Sequence, residues 1–265
     1  MNLQAKLLER FLRYVAITSQ SNAAVKTVPT TSGQRELAEL LKTELAELGL
    51  VDLEISEFSV LTGKLPANLP AGHHAVPAVG WVAHLDTVDV CLNADIHPHV
   101  VANYQGGDIC LNEEKQIFLK VSEHPEIEKY IGQDIVVSDG TSVLGADDKA
   151  AIANVMVALE TLANDKTIYH GDIYVCFVPD EEIGLLGAKA IDFEKFPVDF
   201  AYTIDCCEQG EVVYETFNAG SAEVYIKGIT AHPMSAKGVL VNPTLVATDL
   251  VNSFDRMQTP EHTEG

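Results

Sequence analysis

Four short stretches of this sequence place groups that can hold a cation or move a proton at the ends of apolar runs. Asp180-Glu181-Glu182 follows Asp172 to Val178, an apolar run rich in β-formers. Three adjacent carboxylates repel one another and resist full ionisation. Such a turn is tolerated when fully solvated and becomes useful when a cation sits in it, and the residues alone leave both readings open. His84 and Asp86 end a second apolar run that begins at Pro77, and Asp205 ends a third that begins at Asp199. Asp147 and Asp148 precede residues 150–162, whose composition favours helix. A helix N-terminus attracts negative charge, but a cap accounts for one aspartate, not for two followed by a lysine.

These groups need elements that bring them together. Apolar side chains at helical spacing run from Leu3 to Ala16. A second helix is predicted from Ser32, as N-cap, to Leu48, before Gly49. Residues 51–60 alternate as a strand does, and residues 93–133 read as irregular and polar. A helix-like pattern begins at Ile183. The chain thus alternates strand and helix, the α/β pattern. In open α/β sheets, sites form beyond the carboxyl ends of the strands, so all four stretches can deliver side chains to one edge. A histidine with several carboxylates suits zinc or a similar divalent ion, and a shared carboxylate allows a pair.

From Glu211 the pattern changes. Residues 212–217 and 221–227 alternate like half-exposed antiparallel strands, His232 sits in a loop, and Asn242 opens a helix reaching about Arg256. The adjacent His73 and His74 lie in a proline-containing loop, where exposure is the ordinary state.

Composition narrows the function classes. A chain of 265 residues with 47% hydrophobic residues can bury a sizeable core. A formal charge of −22 disfavours nucleic acid and anionic membrane as partners. No apolar run reaches membrane-spanning length and the first residues lack a signal-peptide core, so the expected compartment is the cytoplasm. The five cysteines form no C-x-x-C pair and read as free thiols.

His84-Leu85-Asp86-Thr87, Gly145-Ala146-Asp147-Asp148-Lys149, Pro179-Asp180-Glu181-Glu182-Ile183-Gly184 and Tyr202-Thr203-Ile204-Asp205 resemble, in order and spacing, the metal motifs of the two-zinc aminopeptidase, carboxypeptidase and deacylase family. The resemblance extends through residues 7–12, 103–109, 170–173 and 236–239, essentially the whole chain. It implies a mixed-sheet catalytic domain flanked by helices over residues 1–216 and the start of a smaller α+β lid domain over 217–265. It implies two zinc ions: His84 and Asp205 on one, Asp147 bridging both, Glu182 on the second. Glu181 would be the general base, and Asp86 would accept a hydrogen bond from the His84 imidazole and fix its tautomer. His232, in the lid, would bind the substrate or the oxyanion, with an exposed loop histidine as the ordinary alternative.

Two departures accompany the resemblance. Family members of this kind are longer and supply a late histidine to the second zinc. No later residue here fills that place, and His262 falls in the lid portion, so the chain reads as C-terminally truncated with one ligand missing. Cys206-Cys207 stands where small residues are usual, as packing groups or as a soft zinc ligand. The implied activity is release of the N-terminal residue from tripeptides by attack of metal-activated water. The implied partners are a small peptide substrate and, through the lid, a second copy of the chain. The alternatives are a related metal-dependent dipeptidase or amidase, and a non-catalytic metal-binding fragment.

Overall fold

A computed structural model describes residues 2–205, 210–214, 220 and 222–263. The chain divides into two compact units, residues 1–207 and 208–265. The expected boundary at 216/217 and the Cys206-Cys207 pair lie outside the described residues.

The first unit is built on a five-stranded sheet. Its strands are β1 (Val51–Ile55), β2 (Leu61–Leu65), β3 (Val79–His84), β8 (Ile173–Val178) and β9 (Phe200–Thr203), in the order β1-β2-β8-β3-β9. β3 runs parallel to both β8 and β9, while β2 is antiparallel to β8 and to β1. The sheet is therefore mixed, as expected. β8 is apolar throughout because both of its faces are covered. Val175 and Phe177 join one core cluster, whereas Cys176 and Val178 join another with Val60 and Phe196.

Three helices supply most of the first cluster. α1 (Leu3–Val15) contributes Phe11, Tyr14 and Val15, and its N-cap Asn2 accepts from the Ala5 N–H at 2.8 Å. α2 (Ser32–Glu47) contributes Leu37, Ala38, Leu41 and Leu45. α3 (Ala146–Asn164) contributes Ile152, Val155, Met156 and Leu159. Each large apolar side chain buried in this way stabilises the fold by about 1.5–3 kcal/mol before the cost of ordering it.

Several local expectations change. The N-cap of α2 is Thr31, not Ser32, and the Thr31 hydroxyl donates to the Gln20 carbonyl instead of capping the helix. The predicted strand over 51–60 ends at Ile55, and β2, which follows it, does not alternate: its Gly63 lets Leu53 lie across it, where a Cβ would come within 2.4 Å of Leu53. Residues 93–133 are not irregular. They hold β4 (His99–Val101), β5 (Ile109–Asn112) and β6 (Ile117–Leu119), and with β7 (Ile135–Val137) these make two small antiparallel ladders over a satellite cluster of Tyr104, Ile109 and Ile127. After Ile183 the chain makes turns and a short 3-10 segment at Ala188–Ala190, not an α-helix.

In the second unit, the described parts of 212–217 and 221–227 form no strand. A ladder needs a paired neighbour, and the bridge found there among the described residues is Ile229 with Val241. α4 (Pro243–Ser253) is capped by Asn242, which accepts from the Thr244 N–H at 3.0 Å, and it ends before Arg256. No described helix is long and apolar enough to cross a membrane.

Candidate metal centre

The parallel pairing of β3 with β8 sets His84 beside Val178, so the residues that leave both strands do so at the same edge. His84 is almost wholly buried and its imidazole is held on both sides. Nδ1 lies 3.0 Å from the Asp86 main-chain oxygen and 3.3 Å from Asp86 Oδ1. Nε2 lies 2.8 Å from Asp147 Oδ1, 3.9 Å from Asp205 Oδ2 and 4.0 Å from Glu181 Oε2.

Asp86 is fully buried and serves the acidic turn as well. Its Oδ1 accepts from the Glu181 N–H at 2.9 Å and its Oδ2 from the Glu182 N–H at 3.2 Å. The turn closes on itself through the Leu186 N–H to the Asp180 carbonyl and the Gly187 N–H to the Pro179 carbonyl, both at 3.0 Å. Position 187 must be glycine, since a Cβ there would sit 2.1 Å from the Pro179 oxygen.

The Asp147-Asp148 pair is not a helix cap. Neither aspartate has helical backbone angles, and no side-chain cap bond forms. The peptide bond between them is cis. Gly145 precedes them at φ 69, packed so closely that a Cβ would meet Ile96 at 2.9 Å and Thr87 at 3.0 Å. Asp147 faces the cluster and is largely exposed, whereas Asp148 is buried and its Oδ2 accepts from the His84 main-chain N–H at 2.9 Å. Sequence reasoning marked the second aspartate as surplus to a cap without finding its partner. Lys149 is also fully buried, and its Nζ donates to the Ile17 carbonyl at 2.7 Å, tying the start of α3 to the end of α1.

Proton affinities follow from this crowding. Burial, then the charge of Asp147 or of the other carboxylates, raises Glu181, Glu182 and Asp205 above the ordinary carboxylate range. Burial pushes Asp148 up to about 8. Burial alone would lower His84, but the Asp86 hydrogen bond and the charges of Asp148 and Asp86 raise it to about 10. Burial also favours the neutral form of Asp86, yet the His84 imidazole and the Glu181 amide hold its carboxyl below the usual value. Without metal, the neighbouring carboxylates thus favour the protonated His84 imidazole where they converge. A bound cation would displace that proton.

Three sets of side chains among the described residues bring ligand atoms within 4.8 Å of one another: His84 with Glu181 and Asp205, His84 with Asp147 and Glu182, and Asp147 with Asp148 and Asp205. All six expected residues of the first unit thus meet in one place: Asp147, Glu181, Glu182 and Asp205 around His84 Nε2, and Asp86 behind the ring. Next to Asp147 and Asp205 lies an open cleft of about 460 Å³, lined also by Ala150, Ala151, Asn154 and Ile204. The seventh expected residue, His232, belongs to the second unit. It is exposed there, and its Nδ1 accepts from the Met234 N–H at 3.2 Å.

Residues 144–260 match the model of peptidase family M20/M25/M40. The chain is similar to curated proteins called peptidase T-like and peptidase T. It is 56% identical over 263 residues to a peptidase T-like protein of Yersinia pestis, a match covering 99% of this chain and 62% of that protein. It is 44% identical over 261 residues to a peptidase T of Caldanaerobacter subterraneus, covering 98% of this chain and 63% of the relative. A crystal structure of a tripeptidase from Staphylococcus aureus shares the fold, with a TM-score of 0.61 and 24% identity over 98% of this chain and 58% of that one. The chain thus spans about 62% of the length of its curated relatives.

Proposed function

We propose that this chain carries the metal-binding part of an aminopeptidase that releases the N-terminal residue from tripeptides. The observation that supports it most is the convergence of His84, Asp147, Glu181, Glu182 and Asp205 at one sheet edge. The donor set fits divalent metal. One imidazole and several carboxylates suit zinc, and carboxylates that resist ionisation when crowded are relieved by a cation. On this reading His84 and Asp205 would hold one ion, Asp147 would serve both, and Glu182 would hold the second. Residues 1–216 form the catalytic part and 217–265 the lid. The compartment is the cytoplasm, and a homodimer would form through the lid.

Bound zinc would supply a water acidified towards pKa ~7 and polarise the scissile carbonyl. The remaining work belongs to the protein. Glu181 takes a proton from the attacking water and returns it to the leaving amine. Asp86 fixes the His84 ring through Nδ1 and, through the two turn amides, fixes where Glu181 and Glu182 start. His232 is assigned to the substrate.

The test is hydrolysis of an unblocked tripeptide by the zinc-loaded protein, beside an acylated amino acid and a dipeptide. Release of the N-terminal residue from the tripeptide is expected. Cleavage of the acylated amino acid or the dipeptide instead would move the protein to the amidase or dipeptidase reading. Zinc uptake without any cleavage would leave a metal-binding fragment.

A further inference from the structure

Asp180 is the one carboxylate of the acidic turn that does not face the cluster. It is fully buried and points the other way, into the start of α2. Its Oδ2 accepts from the Thr30 N–H at 2.8 Å. Its Oδ1 accepts from the Thr30 hydroxyl at 2.5 Å and from the Gln34 Nε2 at 2.7 Å. Its own N–H donates to Gln34 Oε1 at 2.8 Å. Gln34 is fully buried as well, so side chain and main chain of Asp180 are both matched by a single glutamine. Asp180 adopts φ 53, a left-handed conformation that aspartate accepts more readily than most residues.

The same segment also grips the other strand end. The Ser19 hydroxyl donates to the Leu85 carbonyl at 2.7 Å, and the Ser21 N–H donates to the Thr87 carbonyl at 3.1 Å. The Thr31 hydroxyl closes the segment on itself through the Gln20 carbonyl at 2.8 Å. Residues 19–34 are therefore bonded both to the chain carrying His84 and Asp86 and to the turn carrying Glu181 and Glu182.

We propose that Asp180 and Gln34 form a positioning lock that sets where Glu181 and Glu182 stand relative to His84. Its catalytic consequence rests on the functional reading above. Asp180 touches neither substrate nor metal; it acts through the turn it ends. Buried polar networks of this kind hold one geometry when every member is satisfied and lose it when one partner is mismatched. Asp180→Asn presents an N–H₂ to a donor in either orientation, to Gln34 Nε2 and the Thr30 hydroxyl or to the Thr30 N–H. The exchanged pair Asp180→Asn with Gln34→Glu restores a donor facing an acceptor with nearly the same shape.

The test uses Co²⁺ affinity, tripeptide kinetics and amide hydrogen exchange of the metal-free chain. Asp180→Asn is expected to weaken Co²⁺ binding by about tenfold and to lower kcat by about a hundredfold with KM within about threefold. It should also speed exchange of the amides of Glu181, Glu182, Leu186 and Gly187. The exchanged pair should bring all three readouts back to within about threefold of the starting protein. Unchanged affinity, kcat and exchange in Asp180→Asn would overturn the lock. So would losses that the exchanged pair fails to recover. If the starting protein takes up no Co²⁺ or cleaves no tripeptide, the functional reading fails by itself, and exchange in the metal-free chain still decides whether the lock holds the turn.

Discussion

The two halves of the candidate metal centre are held very differently. His84 and Asp86, at the end of β3, have side chains 2% and 0% exposed and are bonded to the acidic turn and to Asp148. Asp147 and Asp205, which face His84 from the other side, have side chains 65% and 41% exposed and border an open cleft. The buried half is preorganised by protein alone. The open half leaves two carboxylates in repulsion, which a cation would relieve. A site divided this way keeps a rigid base beside a face that solvent and substrate can reach.

That contrast can be broken in graded steps. The largest effect should come from Glu181→Ala, which removes the proposed base: turnover should fall by about 10²–10⁴-fold while zinc content by elemental analysis stays near the starting value. Retained turnover would end the assignment. His84→Ala removes the proposed metal ligand of the buried half, and calorimetric zinc affinity should fall by more than the ~10–100-fold that a supporting partner costs. Asp86→Asn should fall inside that ~10–100-fold range and should lower kcat as well, because it also holds the Glu181 and Glu182 amides.

A smaller effect concerns stability of the metal-free chain. Asp148 is raised to about 8 from 3.8, so the folded chain keeps a proton that the unfolded chain has released. This contribution is full below the ordinary carboxylate value and is lost as pH rises through about 8. His84, raised to about 10, runs in the same direction from 6.5 upward. Lys149, lowered to about 7 by burial, opposes both above that pH. The unfolding midpoint should therefore decline between pH ~5 and ~7, and Asp148→Asn should flatten the decline. A midpoint that rises over this interval in both proteins would contradict the burial argument. The smallest effect is expected from His232→Ala, which should raise KM while zinc content and unfolding midpoint stay unchanged. A shift in zinc content would mean that His232 belongs to the metal site.

The ends of β3 and β8 were legible because each apolar run stops abruptly at groups that can bind metal, and strand direction carries those groups to one edge. Asp148 was half legible, as an aspartate too many for a cap. Asp180 was not, because its partner Gln34 is 146 residues away and a glutamine inside a helix carries no sign of what it faces. The strands β4 and β6 were missed because three residues are too few to show a period. Alternation in the described parts of 212–217 and 221–227 misled in the opposite sense: period two makes a strand possible, but pairing makes one.

The central claim is that one cation sits among His84, Asp147 and their neighbours. Crystals grown with zinc and measured across its absorption edge test it directly. The account expects an anomalous peak at coordinating distance, about 2.0–2.2 Å, from His84 Nε2 and from an Asp147 oxygen. Zinc located elsewhere, with His84 Nε2 still bonded to Asp147, would contradict it.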